Sequence, residues 1–269
     1  MITRQELDKW GAELPYAPVL SRDTKTNQLL VNGCLGWYQL WVHAEDKSLT
    51  PCLTGEVGGM IGAWENWITA WHMNHFAEFD TYVDVGANVG YYAFLAHHFG
   101  KDVFAYEADP EIQKLLELSV DENVGPNSSD FTLVYSGVSS SPGRANLVTY
   151  EGFEGSTSVV RDHAGSIPVT SLDFSLMWRA NRLGRILIKM DIESHEEFAW
   201  DGAARLNQTV KPTYVIEWTP GAYSQDFYKK LESYGQVTRI TETGGEEHCP
   251  ESMLAAGRDW QMIVVRPHA

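Results

Sequence analysis

Residues 81–90 read TYVDVGANVG, and the fold turns on them. Thr81–Val85 is a short, mostly apolar run that suits a buried strand. Gly86 and Gly90 punctuate the turn after it, and residues 91–99 follow as a helix. In this arrangement glycines permit a tight turn and close approach of a ligand. The turn and the start of the helix lie at the carboxyl end of the sheet, where N–H groups are expected to face a crevice.

Working outward, further strands are expected at residues 102–106, 131–135, 185–190, 214–218, 237–241 and 261–265. Asp109-Pro110-Glu111 is a helix start: Asp109 caps, Pro110 suits the first helical position and Glu111 favours the positive end. Ile112, Leu115, Leu116 and Ser119 then share one helical face. Residues 196–206 and 225–234 also read as helices, and residues 136–184 as largely irregular. Strands alternating with helices imply a mostly parallel sheet covered on both faces. The last two strands, with no good helix between them, suggest an antiparallel end. The expectation is an α/β, Rossmann-like sheet of seven strands over residues 81–269.

Residues 1–80 differ in texture. They hold six of the chain's ten tryptophans and form an N-terminal extension. Two strands are expected at residues 28–31 and 37–43. Met60, Trp64, Trp67, Ile68 and Trp71 then recur at helical spacing. That face packs on the sheet or walls a substrate pocket, where aromatic rings suit sugars and other flat apolar groups.

Composition narrows the function. The chain has 269 residues, 43% hydrophobic and 21% charged, and is long enough to bury a sizeable core. Lysine and arginine total 20 against 36 acids, a formal charge of −16. That balance disfavours nucleic acid as a partner, since phosphates need basic side chains. Three cysteines, with no CxxC, give neither a disulfide framework nor a structural zinc site. Residues 1–10 contain no apolar core of a signal peptide, and no run approaches a membrane span. The expectation is a soluble, cytoplasmic protein without a membrane partner.

The turn itself selects a ligand class. A dinucleotide fingerprint needs glycine where this chain has Asn88. Asp84 ends the strand with a carboxylate facing the ligand, which repels a pyrophosphate but attracts a cation. Glu107 closes the second strand 21 residues after Gly86, the usual distance for an acid that accepts from ribose hydroxyls. S-adenosylmethionine meets all three conditions: it carries a sulfonium, an ammonium and a ribose, and no phosphate. The turn at Ser136-Gly137-Val138, with its small Gly137, is expected to lie against the adenine.

The segments YVDVGANVGYYAFLA, FAYEADPE, PVTSLD, ILIKMDIESHEE and YVIEW, in that order, resemble the landmarks of the FkbM-type family of S-adenosylmethionine-dependent methyltransferases. The resemblance covers roughly residues 60–220. It implies the class I methyltransferase fold, with helices on both faces of the sheet, and O-methylation of hydroxyls on sugars or natural products. On it, Asp84, Gly86, Ala87, Asn88, Gly90, Glu107, Ala108, Gly137 and Val138 are carried over or placed as cofactor-binding. Three departures stand out. Ser194-His195 replaces the family's Gly-Ala pair, Trp218 replaces a histidine after Glu217, and Ala108 replaces a proline. Trp64-Glu65 resembles an aromatic-acid pair found before the first strand.

Methyl transfer to a hydroxyl needs alignment and a group to take the proton. Asp191, Glu193 and His195 follow the fourth strand and Glu217 ends the fifth, so these four are the catalytic candidates. Their roles divide three ways: general base, stabilisation of the cation, or ligation of a divalent metal such as Mg²⁺. Loop hydroxyls in Gly155-Ser156-Thr157-Ser158 resemble a Gly-Ser-Ser element of the family and form turns as readily as they reach a substrate. The competing functions are a nicotinamide-dependent oxidoreductase and a non-catalytic glycan-binding module. Nucleic-acid methylation is weaker still, because the chain lacks an Asn/Asp-Pro-Pro-Tyr/Phe motif.

Overall fold

The computed structural model describes residues 1–13, 19–55, 63–125, 128–149, 157–161, 166–256 and 260–268. Its strands are, in chain order, β1 (Val19–Asp23), β2 (Gln28–Asn32), β3 (Gln39–His43), β4 (Thr81–Val85), β5 (Asp102–Glu107), β6 (Phe131–Tyr135), β7 (Gly137–Val138), β8 (Gly143–Thr149), β9 (Thr157–Arg161), β10 (Ile167–Thr170), β11 (Ile186–Met190), β12 (Thr213–Trp218), β13 (Gly235–Ile240), β14 (Glu246–His248) and β15 (Gln261–Pro267). The described residues form a large sheet ordered β14-β13-β15-β12-β11-β4-β5-β6, a four-stranded sheet ordered β7-β10-β8-β9 and a three-stranded sheet β1-β2-β3.

The large sheet has eight strands, not the seven expected. Strands β6, β5, β4, β11 and β12 are parallel to one another. Strand β15 is antiparallel to both β12 and β13, and the extra strand β14 pairs antiparallel with β13. Glu246–His248 is short and polar, so it carries no strand pattern in sequence. A helix, Glu251–Ala256, also lies between β13 and β15, where none was expected. Within the stretch read as irregular, the described residues include the second sheet, the helix Leu172–Leu176 and the 3-10 helix Met177–Arg182. Its strands include GRANLVT, whose Ala145 and Leu147 pack into a small core, and which is too polar to stand out as an apolar run. Gly155 and Ser156 lie outside the described residues; Thr157 and Ser158 begin β9.

Helix boundaries follow local chemistry. The Asp109 side chain accepts from Glu111 N at 2.8 Å and caps Pro110–Asn123, whose Ile112, Leu115, Leu116 and Ser119 are buried. The helix expected over 196–206 is two, Glu196–Asp201 and Ala204–Thr209. Gly202 lies between them so close to a neighbouring loop that a Cβ there would stand 2.2 Å from Ser139 O. The tryptophan-bearing helix is Asn66–His75, so Trp64 precedes it; Met60 lies outside the described residues. Trp37, expected to open a strand, precedes β3 and stacks on His98 at 4.9 Å. Strand β1 is exposed and carries Ser21, Arg22 and Asp23, which hid it in sequence. None of the described helices is long and apolar enough to cross a membrane.

The period-2 pleat sorts the sheet's side chains into two cores. Val83, Val85, Phe104, Ile186, Ile188, Tyr214 and Ile216 pack on one side, with Trp200 and Phe227. Tyr82, Ala105, Leu187 and Val215 pack on the other, with Leu7, Val31, Leu40 and Trp71 of the N-terminal region. Continuing each alternation by two residues puts Asp84, Glu107, Lys189 and Glu217 on the second face. Four polar side chains thus share the face that the tryptophan-rich segment covers. Strands β5 and β6 lie to one side of β4, and β12 to the far side of β11. The β4–β11 junction is therefore the switch point where such sheets hold ligands.

Candidate active site

A cavity of about 340 Å³ opens at that junction. The glycine turn forms its floor through Gly86, Ala87 and Asn88. Glu107, Ala108, Gly137 and Val138 line one end; Asp191, Glu193 and Glu217 line the other. All but one of the expected cofactor-side residues therefore meet in one place. The exception is Gly90, which is not among the lining residues. It opens the helix Tyr91–His98 at φ 96°, and a Cβ there would meet the Phe94 ring at 2.5 Å and Leu116 at 2.8 Å. Its smallness serves packing behind the turn.

The turn departs from expectation in a second way. Its N–H groups do not face the crevice, because they are engaged within the protein. Gly86 N and Ala87 N donate to Tyr106 O at 3.0 and 2.9 Å, and Gly90 N donates to Ala87 O at 2.9 Å. Asn88 N donates to Glu107 Oε2 and Val89 N to Asn88 Oδ1, both at 2.8 Å. Asn88 sits at φ 51°, a conformation its short polar side chain tolerates. With those donors engaged, the turn offers no cradle for a phosphate. What it offers is carboxylate.

Asp84 is 1% exposed, and neither of its carboxyl oxygens has a hydrogen-bond partner. Burial pushes its pKa up to about 7, against the pull of Lys189 and with a push from Asp191 and Glu107. A buried acid whose oxygens accept no hydrogen bond is costly, and a ligand that donates to it lowers that cost. Glu107 is also buried, which raises it to about 6, although Asp109 N and Asn88 N donate to its two oxygens. Each oxygen has a further lone pair for a diol.

At the opposite end, burial pushes Glu217 well above the usual carboxylate range, helped by Asp191, Glu196 and Glu193. Its Oε2 is buried without a partner. His195 does not join these acids. It is buried, its Nε2 lies 3.1 Å from Ser139 Oγ, and its ring stacks on Phe198 at 4.7 Å. It precedes the helix that begins at Glu196 and is not among the residues that line the cavity. Ser194, where the family has glycine, sits at φ 74°, the left-handed region that explains the glycine.

The divalent metal gains no support. Among the described residues no three His, Cys, Asp or Glu side chains converge on a metal position. The Lys189 ammonium is instead the cation between Asp84 and Asp191, at 3.9 and 2.9 Å.

Sequence reasoning left several lining residues without a role. Lys189 is the foremost; a lysine inside the apolar run ILIKM had to find a counter-charge if that strand was buried. Glu65 lines the cavity beside Tyr92, whose hydroxyl donates to Glu65 Oε2 at 2.8 Å. Burial and Asp191 push Glu65 above the ordinary range. Trp260 had no expected role and lines the cavity with Trp64, one of the residues expected to pack on the sheet or wall a pocket; Trp67 stacks on Trp260 at 6.2 Å. Trp71 is core: it is buried, stacks on His75 and donates to Glu246 at 2.7 Å.

A parallel sheet with an antiparallel strand let in near one edge, and a carboxylate-floored turn at its switch point, defines a class I methyltransferase-like α/β fold. Residues 84–245, more than half of the chain, match the methyltransferase FkbM domain, so the chain belongs to this family of S-adenosylmethionine-dependent methyltransferases. The match begins at Asp84 and runs past β13. Among solved structures, the chain is similar to a methyltransferase FkbM from Methylobacillus flagellatus KT, with 19% identity and a TM-score of 0.43 over 70% of this chain. It spans only 44% of that protein's length. A second similar structure is an S-adenosylmethionine-dependent methyltransferase from Neisseria gonorrhoeae, with 13% identity and a TM-score of 0.41 over 97% of this chain and 91% of the other. A third is the magnesium protoporphyrin IX methyltransferase of Synechocystis PCC 6803 with bound S-adenosylmethionine, at 11% identity and a TM-score of 0.39 over 75% and 77%. No curated protein matches the chain.

Proposed function

We propose that this chain is an O-methyltransferase that moves the methyl group of S-adenosylmethionine to a hydroxyl of a sugar, glycoconjugate or other natural product. The observation that carries the cofactor half is the turn. Its N–H groups are engaged internally, and beside it stands a buried carboxyl whose oxygens accept no hydrogen bond and whose nearest cation, Lys189, lies 3.9 Å away. That chemistry suits a phosphate-free cation and disfavours the pyrophosphate of a nicotinamide dinucleotide. In this reading Asp84 receives the positive end of the cofactor, Glu107 accepts from its ribose, and Gly137 and Val138 lie against the base. When bound, S-adenosylmethionine supplies an electrophilic methyl group on sulfur.

The acceptor half rests on the other end of the cavity. Trp64 and Trp260 offer flat faces to a sugar ring. Asp191 and Glu193 stand ready to take the hydroxyl proton as the O–C bond forms and the C–S bond breaks. Glu217, pushed up by burial, carries its proton near neutrality and donates to the acceptor. The N-terminal segment serves as the cover of this acceptor end. Three buried free thiols suit a cytoplasmic setting.

The test is transfer of labelled methyl from S-adenosylmethionine to a panel of neutral sugars, glycosides and polyhydroxylated small molecules. Transfer to a hydroxyl that falls at least a hundredfold in Asp191→Asn or Glu217→Gln supports the reading. Transfer to nitrogen or carbon, or cofactor binding with no turnover on any member, counts against it.

A further inference from the structure

Lys189 is 2% exposed in the middle of the sheet. Such a residue is rare without partners. The register of β11 against β4 sets it beside Asp84, and the alternation of the strand sends both side chains to the same face. Its Nζ lies 2.9 Å from Asp191 Oδ2, 3.9 Å from Asp84 Oδ1 and 5.1 Å from the centre of the Tyr92 ring. Tyr92 in turn donates to Glu65. One ammonium therefore touches the acid of the turn, the acid at the opposite end of the cavity, and the aromatic ring that carries the N-terminal acid.

Building on the reading above, we propose that Lys189 is a positioning residue for methyl transfer, a single buried charge that ties the cofactor-side Asp84 to the acceptor-side Asp191. Burial works against the ammonium, but Asp191, Asp84 and Glu65 outweigh it and keep it charged. The groups facing Asp84 are Lys189, Asp191, Glu107 and, on its own strand, Tyr82. His72, from the helix above, also faces Lys189 and stays neutral, because burial lowers it to about 3. Lys189 is thus the one cation among these groups. Its loss leaves Asp84 among acids alone, which drives its proton affinity up. An opposite charge at this range moves a carboxyl pKa by about 1–3.

The test compares the wild-type chain with Lys189→Met and Lys189→Arg, and needs no acceptor. The Asp84 carboxyl carbon is followed by NMR in ¹³C-aspartate-labelled protein without cofactor, as pH is varied. In Lys189→Met it is expected to titrate at least one pH unit higher than in the wild type; Lys189→Arg is expected to restore the wild-type value to within half a unit. Lys189→Gln reads the same displacement should the methionine variant not fold. S-adenosylhomocysteine is then titrated calorimetrically into each protein. At pH 7 its affinity is expected to fall about tenfold in the uncharged variants, to recover above pH 9, and to fall less than threefold in Lys189→Arg. An Asp84 titration that ignores the loss of the lysine charge, or an equal affinity loss in Lys189→Arg and Lys189→Met at every pH, overturns the proposal. An Asp84 titration that is displaced in Lys189→Met, together with a wild-type protein that binds no S-adenosylhomocysteine, overturns the cofactor reading and keeps the tie between Lys189 and Asp84.

Discussion

Asp84→Asn is expected to make the cofactor-free protein more stable, by an amount that grows as pH rises from about 4 to 7 and is constant above that. Burial has raised the Asp84 pKa from 3.8 to about 7. Between those values the unfolded chain carries the ionised acid, while the folded chain still holds the proton. Folding therefore takes up a proton, and stability falls as pH rises. The slope is about 1.4 kcal/mol per pH unit, and the total approaches about 4 kcal/mol above pH 7. An amide of nearly the same shape carries none of this cost, and Lys189 keeps Asp191 as a partner at 2.9 Å. Other buried acids titrate in both proteins, so the difference between them isolates Asp84. The assay is urea unfolding of wild type and Asp84→Asn at pH 5, 6, 7 and 8, with midpoints converted through a shared slope. The difference is expected to be smallest at pH 5 and to widen in favour of the variant by about 2–3 kcal/mol by pH 8. A difference that does not change with pH, or a variant that is weaker at pH 8, would refute the claim that burial of Asp84 outweighs the pull of Lys189.

Three further perturbations follow from the same geometry. Gly86→Ala places a Cβ 2.0 Å from Asp191 O at a φ of 82°, so it is expected to cost about 3 kcal/mol or more in urea unfolding; a loss under about 0.5 kcal/mol would contradict the close approach of the turn to β11. Ser194→Gly relieves a left-handed serine at φ 74° and is expected to gain about 0.5–1 kcal/mol, read as a higher melting temperature; a lower one would contradict it. His195→Ala removes a buried ring that meets Ser139 Oγ, so it is expected to lower the melting temperature while leaving the pH profile of methyl transfer in place; loss of a limb of that profile would return His195 to the chemistry.

The parallel half of the fold was legible because its elements announce themselves locally. TYVDV, DVFAY and RILIKM are apolar runs, and Asp109-Pro110-Glu111 marks a helix start. The second sheet was not legible, since β8 and β9 are rich in arginine, asparagine, serine and threonine and form no apolar run. Among the site residues, Asp84, Glu107, Asp191 and Glu217 follow from one rule, that ligands meet parallel sheets at the carboxyl ends of strands. His195 shared that loop in sequence but not in space, because Glu193 and Ser194 both take left-handed backbone (φ 53° and 74°) before it and turn the chain. The engaged N–H groups of the turn depend on Tyr106 and Glu107 of the neighbouring strand, contacts that no local pattern encodes. Lys189 was visible as an anomaly, a charge inside a buried strand, and its meaning needed the register that sets it beside Asp84.

The measurement that bears most directly on the central claim is calorimetric titration of S-adenosylhomocysteine into the wild-type protein at pH 8, alongside Asp84→Asn and Glu107→Ala. The account predicts micromolar binding by the wild type, with at least a tenfold loss in each variant. Binding that both variants retain at full strength, or no binding by a folded wild-type protein, would contradict it.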